Sequence, residues 1–251
     1  DRIVGTSAGS LVGARLALTK DAGGLVGATD RVARGNDRPP PTFDLESLMA
    51  VGRLMREAIE GGDAGTIARE AGRLALAADT VDEDDFLALT GRGLGEAWPD
   101  GDFVCTAWEA GSGEFRAWDR DAGVPLDRAV ASSCCVPGLF PPVTIDGGRY
   151  LDGGIISASN AFLADGHDAV VVLSVLTGAL SALAEHVSRP LTREVEDLRR
   201  GGSAVELVEM GQVAFDACGG NLMDFSTVGA VAEAGRLQGR EAAERVGAVW
   251  G

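Results

Sequence analysis

The sequence predicts an α/β fold: a three-layer α/β/α arrangement around a mainly parallel central sheet, with residues 1–251 forming a single domain. Three observations predict it. Short apolar runs alternate along the chain with stretches of helical period, the pattern of strands covered by helices. The run from Asp168 to Leu176 is almost continuously apolar and rich in valine, as suits a parallel strand covered on both faces. Glycine and proline punctuate the segments where the chain must turn.

Taken in order, Arg2-Ile3-Val4 reads as the end of a buried strand whose start would precede residue 1, so the domain is expected to be N-terminally incomplete. From Ala8 to Lys20, Leu11, Val12, Leu16 and Leu18 fall at mostly helical spacing, with Gly9 and Gly13 leaving room for close packing on one side. Asp21 to Thr42, with Gly23-Gly24 and Pro39-Pro40-Pro41, reads as loop. A mostly helical block from about Leu45 to Trp98 is expected to cover one face of the sheet, and Thr80-Val81-Asp82-Glu83 inside it has the form of a capping box. Phe103 to Trp108 and Glu114 to Trp118, joined by Ala110-Gly111-Ser112-Gly113, predict a hairpin. A helix from Leu126 to Cys135 must stop before Pro137. Pro142 to Ile145 and Arg149 to Leu151 flank Asp146-Gly147-Gly148, a second hairpin signal. After the valine-rich strand, Thr192 to Trp250 reads as mostly helical, broken around Gly219-Gly220. There is no internal repeat.

With 251 residues, 45% hydrophobic and 24% charged, the chain can bury a full core. Its formal net charge of -16 excludes an electrostatic partnership with nucleic acid and requires apolar contact for any meeting with an anionic membrane. Cys105, Cys134, Cys135 and Cys218 lack the spacing of a zinc site or a disulfide scaffold, so they read as small buried side chains in a reducing, cytoplasmic compartment. No cofactor and no metal is called for. The sequence does not fix an oligomeric state.

Gly5-Thr6-Ser7-Ala8-Gly9 has the G-x-S-x-G form and falls between an apolar strand and an amphipathic helix, the context that a nucleophile elbow requires. Glycine on either side of the serine removes Cβ atoms that would clash with strand and helix, while the helix aims its first N–H groups at a developing oxyanion. A hydroxyl nucleophile needs a base. His167 lies in a polar turn before the valine-rich strand and His186 in a helix-like stretch; neither neighbourhood marks a catalytic imidazole. Asp152 stands at a strand end, between Tyr150-Leu151 and Gly153-Gly154, where the backbone can turn sharply, although such a placement alone also fits an ordinary Asp-Gly turn.

The stretch Ala131-Ser132-Ser133-Cys134-Cys135-Val136-Pro137-Gly138-Leu139-Phe140-Pro141-Pro142, followed by Tyr150-Leu151-Asp152-Gly153-Gly154, resembles the second half of the patatin signature, and with Gly5 to Gly9 the motifs stand in family order. The chain is thus similar to bacterial patatin-like phospholipases. That resemblance implies a patatin-like domain and hydrolysis of fatty-acyl esters of phospholipids or other lipids. It implies a Ser-Asp dyad, carried over by position to Ser7 and Asp152, and an acyl-enzyme intermediate. Transient contact with a membrane or lipid aggregate would follow. Partial burial beside an acyl groove would raise the pKa of Asp152 and improve it as a base. Asn160 and Ala161 resemble the segment after the family's aspartate without an assigned role.

The family's glycine-rich oxyanion loop, which comes before the nucleophile, has no counterpart here: Gly23-Gly24, Gly61-Gly62 and Gly201-Gly202 all follow it. Two alternatives therefore stand beside the lipid hydrolase. One is a catalytically defective lipid-binding or scaffold protein of the same fold; the other is a Ser-His-Asp esterase using His167 or His186.

Overall fold

The computed structural model describes residues 1–25, 45–178, 185–219 and 224–251, and within them all side chains except those of 45–48, 55, 58–59, 185–188 and 225. Most of the loop expected over Asp21 to Thr42 lies outside the described residues; 22–25 are helical. The chain separates into two compact units, the first drawn from Asp1–Lys20 and Pro41–Asn160, the second containing Ala161–Gly251.

The first unit is built on a five-stranded sheet. β1 (Arg2–Gly5) pairs in parallel with β2 (Asp102–Glu109), and β2 pairs antiparallel with both β3 (Phe115–Trp118) and β5 (Gly148–Asp152); β4 (Val143–Ile145) completes the order beside β5. Both expected hairpins form. In the second, Ile145 faces Gly148 across a two-residue turn, Asp146-Gly147, whose positive φ angles of 49° and 81° match the twist of the flanking strands.

Side chains alternate between the two faces of this sheet. Phe103, Cys105, Ala107 and Tyr150 face a cluster with Ala14 and Ala17 of α1 (Ala8–Thr19) and Leu126, Ala129 and Val130 of α5 (Leu126–Cys134). Trp108 and Leu151 face the opposite cluster, where α3 (Ala64–Ala77) presents Ile67, Ala68, Ala71 and Ala75, and Leu54 of α2 (Leu45–Ile59) packs against it. Helices thus cover both faces, giving three layers. Burial of a side chain such as Phe103 or Leu126 contributes about 1.5–3 kcal/mol.

The block expected to cover a single face is divided between the two. α4 (Glu83–Thr90) sends Phe86 into the α1/α5 cluster, and Leu94 and Trp98 follow it there. The capping box does not form either: the N-cap of α4 is Asp82, without a side-chain cap bond. The Glu83 carboxylate instead accepts from the Thr144 N–H at 2.6 Å and the Thr144 hydroxyl at 2.8 Å, so it fastens the helix to β4.

In the second unit, β6 (Ala169–Gly178) pairs in parallel with β7 (Ala204–Met210), flanked by α6 (Glu185–Arg200) and α8 (Val228–Trp250), with the short α7 (Gln212–Ala217) between β7 and α8. Val170 and Val172 pack on Leu191, Val195 and Leu198, but Leu173 is 73% exposed and Val175 56%. Among the described residues, Leu173 and Val175 do not share the packing that covers Val170 and Val172. β7 lies inside the stretch expected to be helical.

Candidate active site

The turn from β1 to α1 carries Ser7. Its backbone sits at φ 54°, ψ -127°, a sparsely populated region for a residue with a Cβ, costing on the order of 1–3 kcal/mol. The neighbouring structure over-determines that conformation. The Ser7 N–H donates to the Ser133 hydroxyl oxygen at 3.1 Å, and Ser133 Oγ lies 2.6 Å from Ser10 Oγ. The Ser7 carbonyl accepts from the Ser10 N–H at 2.8 Å and from the Cys134 thiol at 3.1 Å. Both peptide groups of the serine are therefore held, chiefly by α5.

The two glycines of the motif are not equivalent. A Cβ on Gly5 would lie 2.5 Å from Ser10 Cα, so strand and helix can meet only over a bare glycine. Gly9 is exposed, and a Cβ there would meet nothing within 4 Å. The close approach expected at both Gly9 and Gly13 occurs at Gly13, whose Cβ would lie 3.0 Å from Ile3 and 3.1 Å from Phe103. Ala8, exposed at the start of α1, has no bond to its N–H among the described hydrogen bonds.

Asp152 ends β5 and is 4% exposed. Its N–H donates to the Cys135 carbonyl at 3.2 Å, its Oδ1 accepts the Gly154 N–H at 2.7 Å, and its Oδ2 is buried with no hydrogen bond. Burial pushes the carboxyl pKa up to about 6, against the Ser7 hydroxyl and the Gly154 N–H, which favour the anion.

Behind these two residues lies a buried polar network. Asn160 is 1% exposed with φ 48°, and its amide nitrogen faces Thr6 Oγ1 at 2.9 Å, Thr106 Oγ1 at 3.2 Å, the Gly153 carbonyl at 3.1 Å and the Ser157 carbonyl at 3.0 Å. The two hydroxyls are 3.0 Å apart. A Cβ on Gly153 would fall 2.0 Å from Thr106 Oγ1, which is why the turn after Asp152 requires glycine. At Gly154 the space is less restricted, the nearest atom being Asp152 Oδ1 at 3.0 Å.

His167 belongs to the second unit, where its Nδ1 lies 3.1 Å from the Ala164 carbonyl, a turn contact. His186 falls within α6, and its side chain lies outside the described residues. Ser132 and Ser133 are fully buried in α5; Ser132 donates to the Ala129 carbonyl and accepts the Trp118 indole N–H. The cysteines are free thiols, with Cys105, Cys135 and Cys218 buried and Cys134 half-buried beside the elbow. Among the described residues no three His, Cys, Asp or Glu side chains gather as a metal ion would need, and no helix is long and apolar enough to cross a membrane. Sequence reasoning missed Ser133, Thr106 and the role of Asn160 in this network. Ser133 at least lay within a recognised motif; Thr106, a lone hydroxyl in an apolar strand, carried no local signal.

The family model described as Patatin-like phospholipase matches residues 1–165, well over half of the chain and all of the residues just described around Ser7 and Asp152. No curated protein sequence matches the chain.

Proposed function

Because the chain belongs to the patatin-like phospholipase family, whose general activity is lipid acyl hydrolysis, we propose that it cleaves fatty-acyl esters of phospholipids or other lipids through Ser7 and Asp152. Ser7 Oγ attacks the acyl carbonyl while Asp152 Oδ2 takes the hydroxyl proton. The tetrahedral intermediate collapses as that proton passes to the leaving alcohol, giving an ester on Ser7. Water, deprotonated by the same carboxylate, then releases the fatty acid and restores the serine. The Ala8 N–H, first in α1 and near its positive dipole end, serves as one oxyanion donor.

The observation that carries this reading is the buried carboxylate oxygen without a partner beside a strained elbow serine, on an acid with its pKa raised to about 6. Such a group is a better proton acceptor than a solvated aspartate and still mostly ionised at neutral pH.

A serine-directed fluorophosphonate is expected to label Ser7, located by mass spectrometry. Ser7→Ala and Asp152→Asn are both expected to abolish turnover of a short-chain nitrophenyl ester. Label on another serine would remove the assignment. Loss of activity in His167→Ala or His186→Ala, with Asp152→Asn active, would favour a Ser-His-Asp esterase. Vesicle binding without labelling or turnover would favour a lipid-binding protein.

A further inference from the structure

Resting on the Ser-Asp reaction proposed above, we propose that Asn160 is a positioning residue whose carboxamide, with the hydroxyls of Thr6 and Thr106, sets the nucleophile turn against the turn that carries the base. Thr6 precedes Ser7 and Gly153 follows Asp152, each by one peptide bond. The Asn160 amide nitrogen contacts both, at 2.9 Å to Thr6 Oγ1 and 3.1 Å to the Gly153 carbonyl, from a site 1% exposed. One planar group therefore fixes the spacing of two backbone segments that are far apart in sequence.

Proton counting shows that the network has a single sense. The carbonyls of Gly153 and Ser157 can only accept, so the amide nitrogen, not its oxygen, must face them. Its two hydrogens are shared among those carbonyls and the two threonine oxygens. Thr106 can then donate to Thr6 Oγ1 at 3.0 Å, and Thr6 onward to the Ser159 carbonyl at 3.4 Å. Every hydroxyl proton has an acceptor along this chain.

Other side chains fit poorly. The φ of 48° disfavours residues other than glycine, asparagine and aspartate. Glycine has no donor, and aspartate would point a carboxylate at two carbonyl oxygens. The Asn160 N–H also donates to Ser157 Oγ at 3.0 Å, closing the loop that delivers the amide. Thr106, on the central strand β2, is fully buried, and the bare Gly153 lets the base turn press against it. The network thus acts on the spacing of the two turns that carry the proposed nucleophile and base.

The test uses the full chain with Thr106→Val, Thr106→Ser and Asn160→Gly, measuring turnover of a nitrophenyl butyrate, the rate of fluorophosphonate labelling at Ser7, and thermal unfolding. Valine keeps the shape of threonine without its hydroxyl, and glycine keeps the backbone of Asn160. Thr106→Val and Asn160→Gly are expected to lower kcat by about tenfold to a hundredfold, as a small misplacement of reacting groups does. KM should stay within about twofold, since substrate contacts are untouched. Labelling should slow in parallel, the acidic limb of the kcat profile should move, and Thr106→Ser should restore kcat. Unchanged kcat in the folded variants overturns the proposal, as does a loss that follows the unfolded fraction alone. If Asn160→Gly does not fold, Thr106→Val decides. If Ser7→Ala or Asp152→Asn keeps wild-type turnover, the Ser-Asp reading falls and this inference with it; if both abolish turnover while Thr106→Val does not lower it, the inference alone falls.

Discussion

The burial that raises the pKa of Asp152, the proposed base, also weakens the fold. Its pKa rises from an ordinary 3.8 to about 6 in the native protein, so between those pH values the native state binds more protons than the unfolded chain. Stability from this group is therefore fully present below about pH 4 and is lost as pH rises through about 6, by roughly 3 kcal/mol for a shift of this size. In the proposed reaction activity runs the opposite way, because only the carboxylate could accept the Ser7 proton. We expect kcat/KM to climb to a plateau above an apparent pKa near 6; a profile flat from pH 5 to 8 would show that Asp152 is not the base. Asp152→Asn is expected to abolish turnover and raise the melting temperature at pH 8, since the amide removes a buried charge. A fall in melting temperature would mean that the carboxylate's bond to the Gly154 N–H outweighs its desolvation.

The β1–α1 turn concentrates its constraint on one side, and substitution should expose the asymmetry. Gly5→Ala forces a Cβ to 2.5 Å from backbone, which only movement of strand or helix can relieve, so loss of the folded state or of Ser7 labelling is expected. Gly9→Ala enters open space in a helix and is expected to stabilise by about 0.5–1 kcal/mol in chemical denaturation. Equal effects would contradict the packing described. Legibility in the sequence followed the same division between local and distant causes. The two hairpins, α1, α5 and the elbow were readable because their signals lie within a few residues of one another. β7 was not: Ala204 to Met210 sets Glu206 and Glu209 among apolar residues, a pattern compatible with a helix, and only pairing with β6 makes it a strand. Glu83 looked like a cap because its true partner, Thr144, is 61 residues away. Ser7 and Asp152, the proposed nucleophile and base, were singled out through their motifs, whereas Thr106 meets Thr6 and Asn160 only in three dimensions.

For the molecule as a whole, a formal net charge of -16 sets how it can approach its proposed substrate. Hydrolysis of vesicles rich in anionic phospholipid is expected to be slower than that of zwitterionic vesicles at low ionic strength. The gap should narrow as salt shortens the screening length to about 10 Å at 0.1 M. Faster attack on anionic vesicles at low salt would point to a local basic or apolar contact that outweighs the overall repulsion. The pairing of β1 with β2 also has a consequence for biosynthesis. Arg2 lies opposite Asp102 and Gly5 opposite Cys105, so the strand that presents the serine cannot meet this partner until 100 further residues have been made. At about 5–20 residues per second on a ribosome, that is a wait of ~5–20 s. Throughout it Ile3 and Val4 lack this neighbour, and slow-translating codons placed before residue 102 would lengthen that interval.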